Sequence, residues 1–187
     1  MTSLAETRPL DALAADGPDP DHAEELMLYG QFVGEWDFQW TGYDETGEAT
    51  ASGYGEWIFF WALEGRAVQD VWIIHERTRR GRAGVPEGEY GTTIRVYEPR
   101  AGTWNVTWNG PVQGVVRTFV ARRSGDEIVQ DGRDEDGRPL RWIFSEITPD
   151  SFRWGSVRSS DGEETWQLRE EMHTQSCSCA AAASTAG

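Results

Sequence analysis

Two stretches of this chain set the chemistry that is open to it. Residues 34–40 read GEWDFQW and residues 55–61 read GEWIFFW, both of the form G-E-W-x-F-x-W. Side chains alternate faces along a strand, so each stretch puts three rings on one side: Trp36, Phe38 and Trp40, then Trp57, Phe59 and Trp61. Asp70 is the carboxylate expected to interrupt that aromatic wall. Unpaired among rings, it would be held protonated and would suit a general acid. Paired with an arginine, it would orient a ligand. A slip of one residue, or a bulge, would put it in water instead. Arg95, in TTIRVYE, reaches the same face if PRAG is a four-residue loop pairing Glu98 with Thr103. A loop one residue different turns Arg95 outward and Ile94 inward, and hydrophobicity favours that second register. Arg117, in VVRTF, carries the same ambiguity.

Other chemistries find little support. His22, His75 and His173 show no H-x-H or H-x-x-x-H spacing, so no metal site is expected. Cys177 and Cys179 lie in the tail QSCSCAAAASTAG. A Cys-x-Cys pair is poor disulfide geometry and two thiolates are half a zinc site, so the pair reads as incidental. The chain has no Lys, which excludes Schiff-base catalysis by a side-chain amine. No Ser-His-Asp constellation, Walker loop or dinucleotide fingerprint can be assembled. The glycine stretch GRAGVPEGEYG lacks the following helix that phosphate cradling needs. No cofactor is expected.

These residues need a scaffold, and the bulk composition bounds it. With 187 residues the chain is one domain with a real core. Net charge is −15 and all 17 basic residues are Arg, which argues against nucleic acid or an anionic membrane as partner. The longest apolar run falls far short of a membrane span and no leader pattern opens the chain, so a cytoplasmic location is the default expectation.

Residues 1–20, rich in Ala, Asp, Pro and Thr, read as disordered. A short helix follows, capped by Asp21 and ending near Gly34, with Leu26, Leu28, Tyr29, Phe32 and Val33 as its apolar stripe. The domain is expected over 21–173, and 174–187 as a disordered tail. Turn signals recur at 44–47, 63–66, 98–102, 110–114, 124–126, 134–137, 148–151 and 159–162, and the longest gap is 78–89. Their spacing predicts an all-β fold, a meander of about ten antiparallel strands. With one short helix and no second helical layer, such a meander is expected to close into a barrel, which removes exposed edges; a two-sheet sandwich is the alternative.

Turn lengths give registers. Taking DETG as a four-residue loop sets Trp40 opposite Ala51, Phe38 opposite Gly53 and Trp36 opposite Gly55. Taking Glu64 and Gly65 as a two-residue turn sets Trp61 against Val68, Phe59 against Asp70, Trp57 against Trp72 and Gly55 against Ile74. Later strands repeat the stripe with Trp104, Val106 and Trp108; Leu140, Trp142 and Phe144; Phe152 and Trp154; Trp166, Leu168 and Met172. On the opposite face Ile58, Phe60, Val71 and Ile73 need a cover, from a helix, a loop or a second subunit in a homodimer. The inward rings are either plain core or the lining of a cavity. So many rings in a ten-strand interior favour the lining, which would suit an apolar or aromatic small molecule. Its expected contacts are Trp36, Phe38, Trp40, Trp57, Phe59, Trp61, Trp72, Arg95, Trp104, Trp108, Trp142 and Trp154.

The segments FVGEWDFQW (32–40), GEWIFFWALEGRAVQDVWI (55–73), YGTTIRVYEPRAGTWNVTW (90–108) and RPLRWIFSEITPDSFRW (138–154) together resemble the calycin superfamily. More narrowly they resemble bacterial lipocalin-like barrel proteins, over residues 26–173. The resemblance implies a barrel that binds an apolar small molecule. An alternative is a cofactor-free cyclase or isomerase acting on a hydrophobic secondary-metabolite precursor, with Asp70 polarising the substrate. A third reading is a haem-binding nitrobindin-type barrel, for which His173 would supply the proximal imidazole. The charged Glu35 and Asp37 stand where that family has a glycine-rich first strand.

Overall fold

All eight expected turns fall between two strands. The computed structural model describes residues 9–177. It contains β1 (Gly34–Tyr43), β2 (Ala49–Ala62), β3 (Ala67–Ile74), β4 (Tyr90–Glu98), β5 (Thr103–Gly110), β6 (Val115–Ser124), β7 (Glu127–Arg133), β8 (Pro139–Ser145), β9 (Ser151–Arg158) and β10 (Gln167–Ser176). Each strand pairs antiparallel with the next, and β10 returns to β1, closing the barrel without an unpaired edge. The sandwich alternative is thereby ruled out. Two short helices, α1 (Pro9–Leu13) and α2 (Ala23–Gly30), precede the strands. Among the described residues no helix is long and apolar enough to cross a membrane.

The helix α2 plugs one end of the barrel. Leu26, Leu28 and Tyr29, with Phe32 just beyond, are buried, while Val33 is exposed. The helix stops at Gly30 rather than near Gly34, and the expected cap is displaced. Asp19, not Asp21, accepts the hydrogen bond that opens the preceding turn (3.1 Å from the Asp21 N–H), and no side chain caps α2 itself.

Of the segment expected to be disordered, residues 1–8 lie outside the described residues, and residues 9–20 form structure that straps the β2–β3 turn. The Ala15 N–H donates to the Trp61 carbonyl (2.9 Å), the Leu63 N–H to the Leu13 carbonyl (2.9 Å) and the Asp19 N–H to the Gly65 carbonyl (3.1 Å). Gly65 has φ +79°, and a Cβ there would stand 2.2 Å from the Gly17 carbonyl oxygen, so only glycine lets the strap pass. At the other end β10 runs to Ser176, past the expected boundary at 173. The buried Thr174 fixes this last stretch: its hydroxyl donates to the Phe152 carbonyl (2.6 Å) and accepts from the Phe152 N–H (3.0 Å). Cys179 lies outside the described residues.

Registers were expected with mixed success. The β2–β3 pairing is as the turn implies, with Trp61, Phe59, Trp57 and Gly55 opposite Val68, Asp70, Trp72 and Ile74. The β1–β2 pairing is shifted by two residues, so that Trp36 faces Trp57, Phe38 faces Gly55 and Trp40 faces Gly53. The turn is longer than DETG. Asp44 Oδ1 accepts from the Thr46 N–H (2.8 Å), the Thr46 hydroxyl (2.7 Å) and the Glu48 N–H (3.1 Å), and a bulge follows at Gly42/Tyr43. A two-residue slip keeps every side chain on its face. In β4–β5, Glu98 pairs with Thr103 and Arg95 with Val106, so Arg95 points inward, against the hydrophobic preference for Ile94.

On the outer face Ile73 is fully buried, and Ile58, Phe60 and Val71 are half-buried. The helix does not cover them, being committed to the barrel end. The 75–89 loop instead folds back beside Ile73. Arg77 there donates its N–H and Nε–H (both 2.6 Å) to Glu56, the residue opposite Ile73.

Candidate ligand site

Height along the barrel axis divides the inward rings into two groups. At the plugged end Phe32 is ringed by Phe152, Phe144, Phe59 and Trp36, at centroid distances of 4.7, 5.1, 5.7 and 6.4 Å. Tyr29 meets Trp104 edge-on at 4.9 Å, and the Trp36 indole N–H donates to the Phe32 carbonyl (2.7 Å). Trp61 lies against Gly30 of α2. At the other end a cavity of about 60 Å³ is walled by Trp57, Trp72, Trp108, Trp142, Trp154 and Met172, together with Thr93, Arg95 and the mouth residues Glu89, Gln113, Arg117 and Glu170.

Six of the twelve expected ligand contacts therefore line the cavity: Trp57, Trp72, Arg95, Trp108, Trp142 and Trp154. The structure places Trp36, Phe59, Trp61 and Trp104 in the packed end. Phe38 backs the wall by stacking on Trp72 (5.4 Å, 3° between planes), and half-buried Trp40 donates its indole N–H to Glu170 (3.2 Å). Trp108 pairs with Thr93 on β4, and its indole extends over Gly91, where a Cβ would stand 2.2 Å from the ring.

Asp70 and Arg95 sit between the two groups. Both side chains are buried, and Arg95 Nη1 donates to Asp70 Oδ2 at 2.5 Å. Asp70 Oδ1 also accepts from the Thr93 N–H across the β3–β4 ladder (3.2 Å). The guanidinium lies over the rings of Tyr29, Phe59 and Phe144 at 4.9, 5.4 and 5.8 Å, a cage that suits its weakly hydrated face. A carboxylate on the neighbouring strand is thus the reason Arg95 turns inward. Asp70 is paired with an arginine rather than unpaired among rings, and its carboxylate aims Arg95. Burial pushes the Tyr29 hydroxyl well up, against the opposing charge of Arg95, and Tyr29 stays neutral beside the pair.

The mouth carries polar groups, of which sequence reasoning missed Glu89 and left the direction of Arg117 open. Glu89, almost fully buried, accepts from the N–H groups of Tyr90, Val112 and Gln113, each at 3.0 Å, and so clasps the β5–β6 loop. Glu89 sits at the end of the long glycine-rich gap, and no sequence spacing ties it to GPVQG. Arg117 faces the cavity and is held by Glu135 of the β7–β8 loop through two bonds of 2.7 and 3.0 Å.

His173 falls between the inward-facing Met172 and Thr174, and its side chain is 62% exposed on the outside, 3.7 Å from Glu171. An imidazole there cannot serve as an axial ligand inside the barrel, and none of the residues walling the cavity is a histidine. The residues present therefore do not fit a haem. A scan against protein-family models and a search of curated proteins both return no match for the chain.

Proposed function

We propose that this protein is a lipocalin-like binding barrel for a small, planar, apolar molecule that enters at the end opposite α2. The observation that carries the reading is the convergence of five indoles from five different strands on one cavity. Indole faces offer large apolar area with little rotamer entropy to lose, which is how a site holds a flat hydrocarbon frame.

The cavity's size narrows the occupant. Drug-sized ligands fill pockets of roughly 300 Å³ or more, whereas about 150 Å³ admits a single benzene ring. At about 60 Å³, the cavity takes one or two fused rings only as the mouth side chains Gln113 and Arg117 swing aside. Gln113 stands on an exposed loop and Arg117 is held by a partly exposed partner, so both have room to do so.

Tryptophan fluorescence tests this directly. Titration with naphthalene-sized hydrocarbons is expected to quench or shift the emission saturably, and Trp108→Phe to weaken the response. Emission unchanged across a panel of such compounds would overturn the reading. Haemin is expected to give no bound Soret band.

A further inference from the structure

Residues of the cavity wall carry buried donors with nothing to donate to. Trp57 Nε1, Trp142 Nε1 and Arg95 Nε are all shielded from solvent and have no hydrogen-bond partner among the described residues. All three residues belong to the wall of the one cavity. Gln130, whose amide is likewise unpartnered, stands directly across the β7–β8 ladder from Trp142. The rings tie these residues together: Trp154 lies 6.4 Å from Trp57 and 5.3 Å from Trp142, and Phe144 lies between Trp57 (5.6 Å) and the Arg95 guanidinium (5.8 Å).

Folded proteins rarely leave buried N–H groups unmatched, because each forfeits its hydrogen bond to water. Three in one wall are a chemical specification. Indole and guanidinium nitrogens donate and never accept, so the group that answers them is an acceptor. Charge then selects among acceptors. Arg95 is already neutralised by Asp70 and Arg117 by Glu135, while Glu89 and Glu170 face the same cavity. A carboxylate would meet two like charges and no unpaired cation, whereas a neutral carbonyl takes up the orphan donors without that charge repulsion.

Resting on the binding reading above, we infer that the occupant is a planar hydrocarbon frame bearing a neutral carbonyl, seated with its oxygen toward Trp57, Trp142 and Arg95. The ring frame fills the indole-lined space, and small tilts of the two indoles bring their N–H groups onto the oxygen.

Three probes of one shape separate the possibilities: naphthalene, acetylnaphthalene and naphthoate, titrated calorimetrically against the full-length protein at neutral pH. Acetylnaphthalene is expected to bind roughly tenfold tighter than naphthalene, the worth of one well-made buried hydrogen bond, and naphthoate weaker than the ketone. Equal affinity for hydrocarbon and ketone would overturn the inference while leaving the binding reading intact, since water would then be what satisfies the donors. Tightest binding of naphthoate would overturn the choice of a neutral group. If none of the three binds, the binding reading falls and this inference with it. The ring-preserving double variant Trp57→Phe/Trp142→Phe, checked for native far-UV dichroism, is expected to cut the ketone preference to about threefold or less. An unchanged preference would remove the indoles from the assignment; each single variant repeats the test if the double variant does not fold.

Discussion

Phe32 and Trp108 belong to the same kind of barrel and meet opposite surroundings. Phe32, at the plugged end, has four rings within 6.4 Å and is 1% exposed. Trp108, at the open end, touches Trp72 and Trp142 edge-on at 5.8 and 6.3 Å and turns a remaining face to the cavity. Both ends are built from inward aromatic stripes, so ring content does not distinguish core from site. What distinguishes them is a helix: α2 and the residues just after it fill one end with Tyr29 and Phe32, and only loops cap the other. The plugged end is packed ring on ring, and the open end keeps a cavity.

The Asp70–Arg95 pair at the border offers the largest test. Asp70→Asn keeps the shape and removes the charge, leaving a buried guanidinium uncompensated, which is expected to cost about 3–5 kcal/mol. Replacing both partners, as in Asp70→Leu/Arg95→Met, is expected to cost clearly less, because no orphan charge remains. Urea unfolding of the three proteins measures this. If the single change proves as mild as the double, the pair is not the buried ion pair that divides the two ends.

Phe32→Ala against Trp108→Ala tests the comparison itself. In the packed end, deletion of a fully enclosed ring is expected to destabilise by about 3–5 kcal/mol. Trp108 already borders a void and has fewer contacts to lose, so its deletion is expected to destabilise by roughly half as much, and to abolish ligand quenching. Equal losses in denaturant midpoints would mean that the open end is as much a packed core as the plugged one.

The contrast between the ends also explains what the sequence could disclose. Alternation along a strand states which face a ring takes, so the inward stripe of β2 and the β2–β3 register were legible from GEWIFFW and its tight turn. The stripe expected in β10 holds only at Met172: a bulge between Leu168 and Glu170 pairs Leu168 with the outward Val157, and Trp166 lies on the outer face under Arg141 (4.2 Å). Alternation says nothing about height along the barrel axis. Trp61 and Trp57 look equivalent in the pattern, yet one packs on α2 and the other lines the cavity. Arg95 was legible as a candidate but not its direction, because the hydrophobicity of β4 cannot register a carboxylate on β3. The strap over 9–19 is fastened chiefly by backbone hydrogen bonds, which leave little trace in residue types. The bulge at Gly42/Tyr43 depends on how Asp44 folds its own turn, and a count of loop residues misjudged it by two.

Glu89 sharpens the comparison at the mouth. Its carboxylate holds three backbone N–H groups, two of them in the loop that bounds the cavity. Glu89→Ala leaves those donors without an acceptor and is expected to cost roughly 1–3 kcal/mol. The loss should be local. Amide exchange at Val112 and Gln113 is expected to speed up and ligand association to quicken, while exchange across Leu26–Gly30 and β8 stays at the native rate. Faster exchange at α2 as well would show that the two ends are not independent.

The smallest effect comes from Glu135, whose hydrogen bonds from Arg117 hold its carboxyl below the usual range. A depressed folded-state value means that the pair stabilises the protein above the ordinary glutamate value of about 4.3 and ceases to do so as pH falls through the lowered one. Glu135 is 48% exposed, so solvent screening limits the gain to below about 1 kcal/mol. Thermal unfolding of the native protein and of Glu135→Gln is expected to differ slightly at pH 7 and to converge as acidification carries the solution below the ordinary glutamate value and through the lowered one. The same variant unpairs Arg117 at the cavity mouth, so at neutral pH its affinity for naphthoate is expected to rise a few-fold relative to acetylnaphthalene. Because Arg117 belongs to the open end alone, this gain should appear without any change in the stability penalty of Phe32→Ala. A naphthoate affinity that does not respond would show that Glu135 is not what denies anions the mouth, leaving Glu89 and Glu170 as the charges that do.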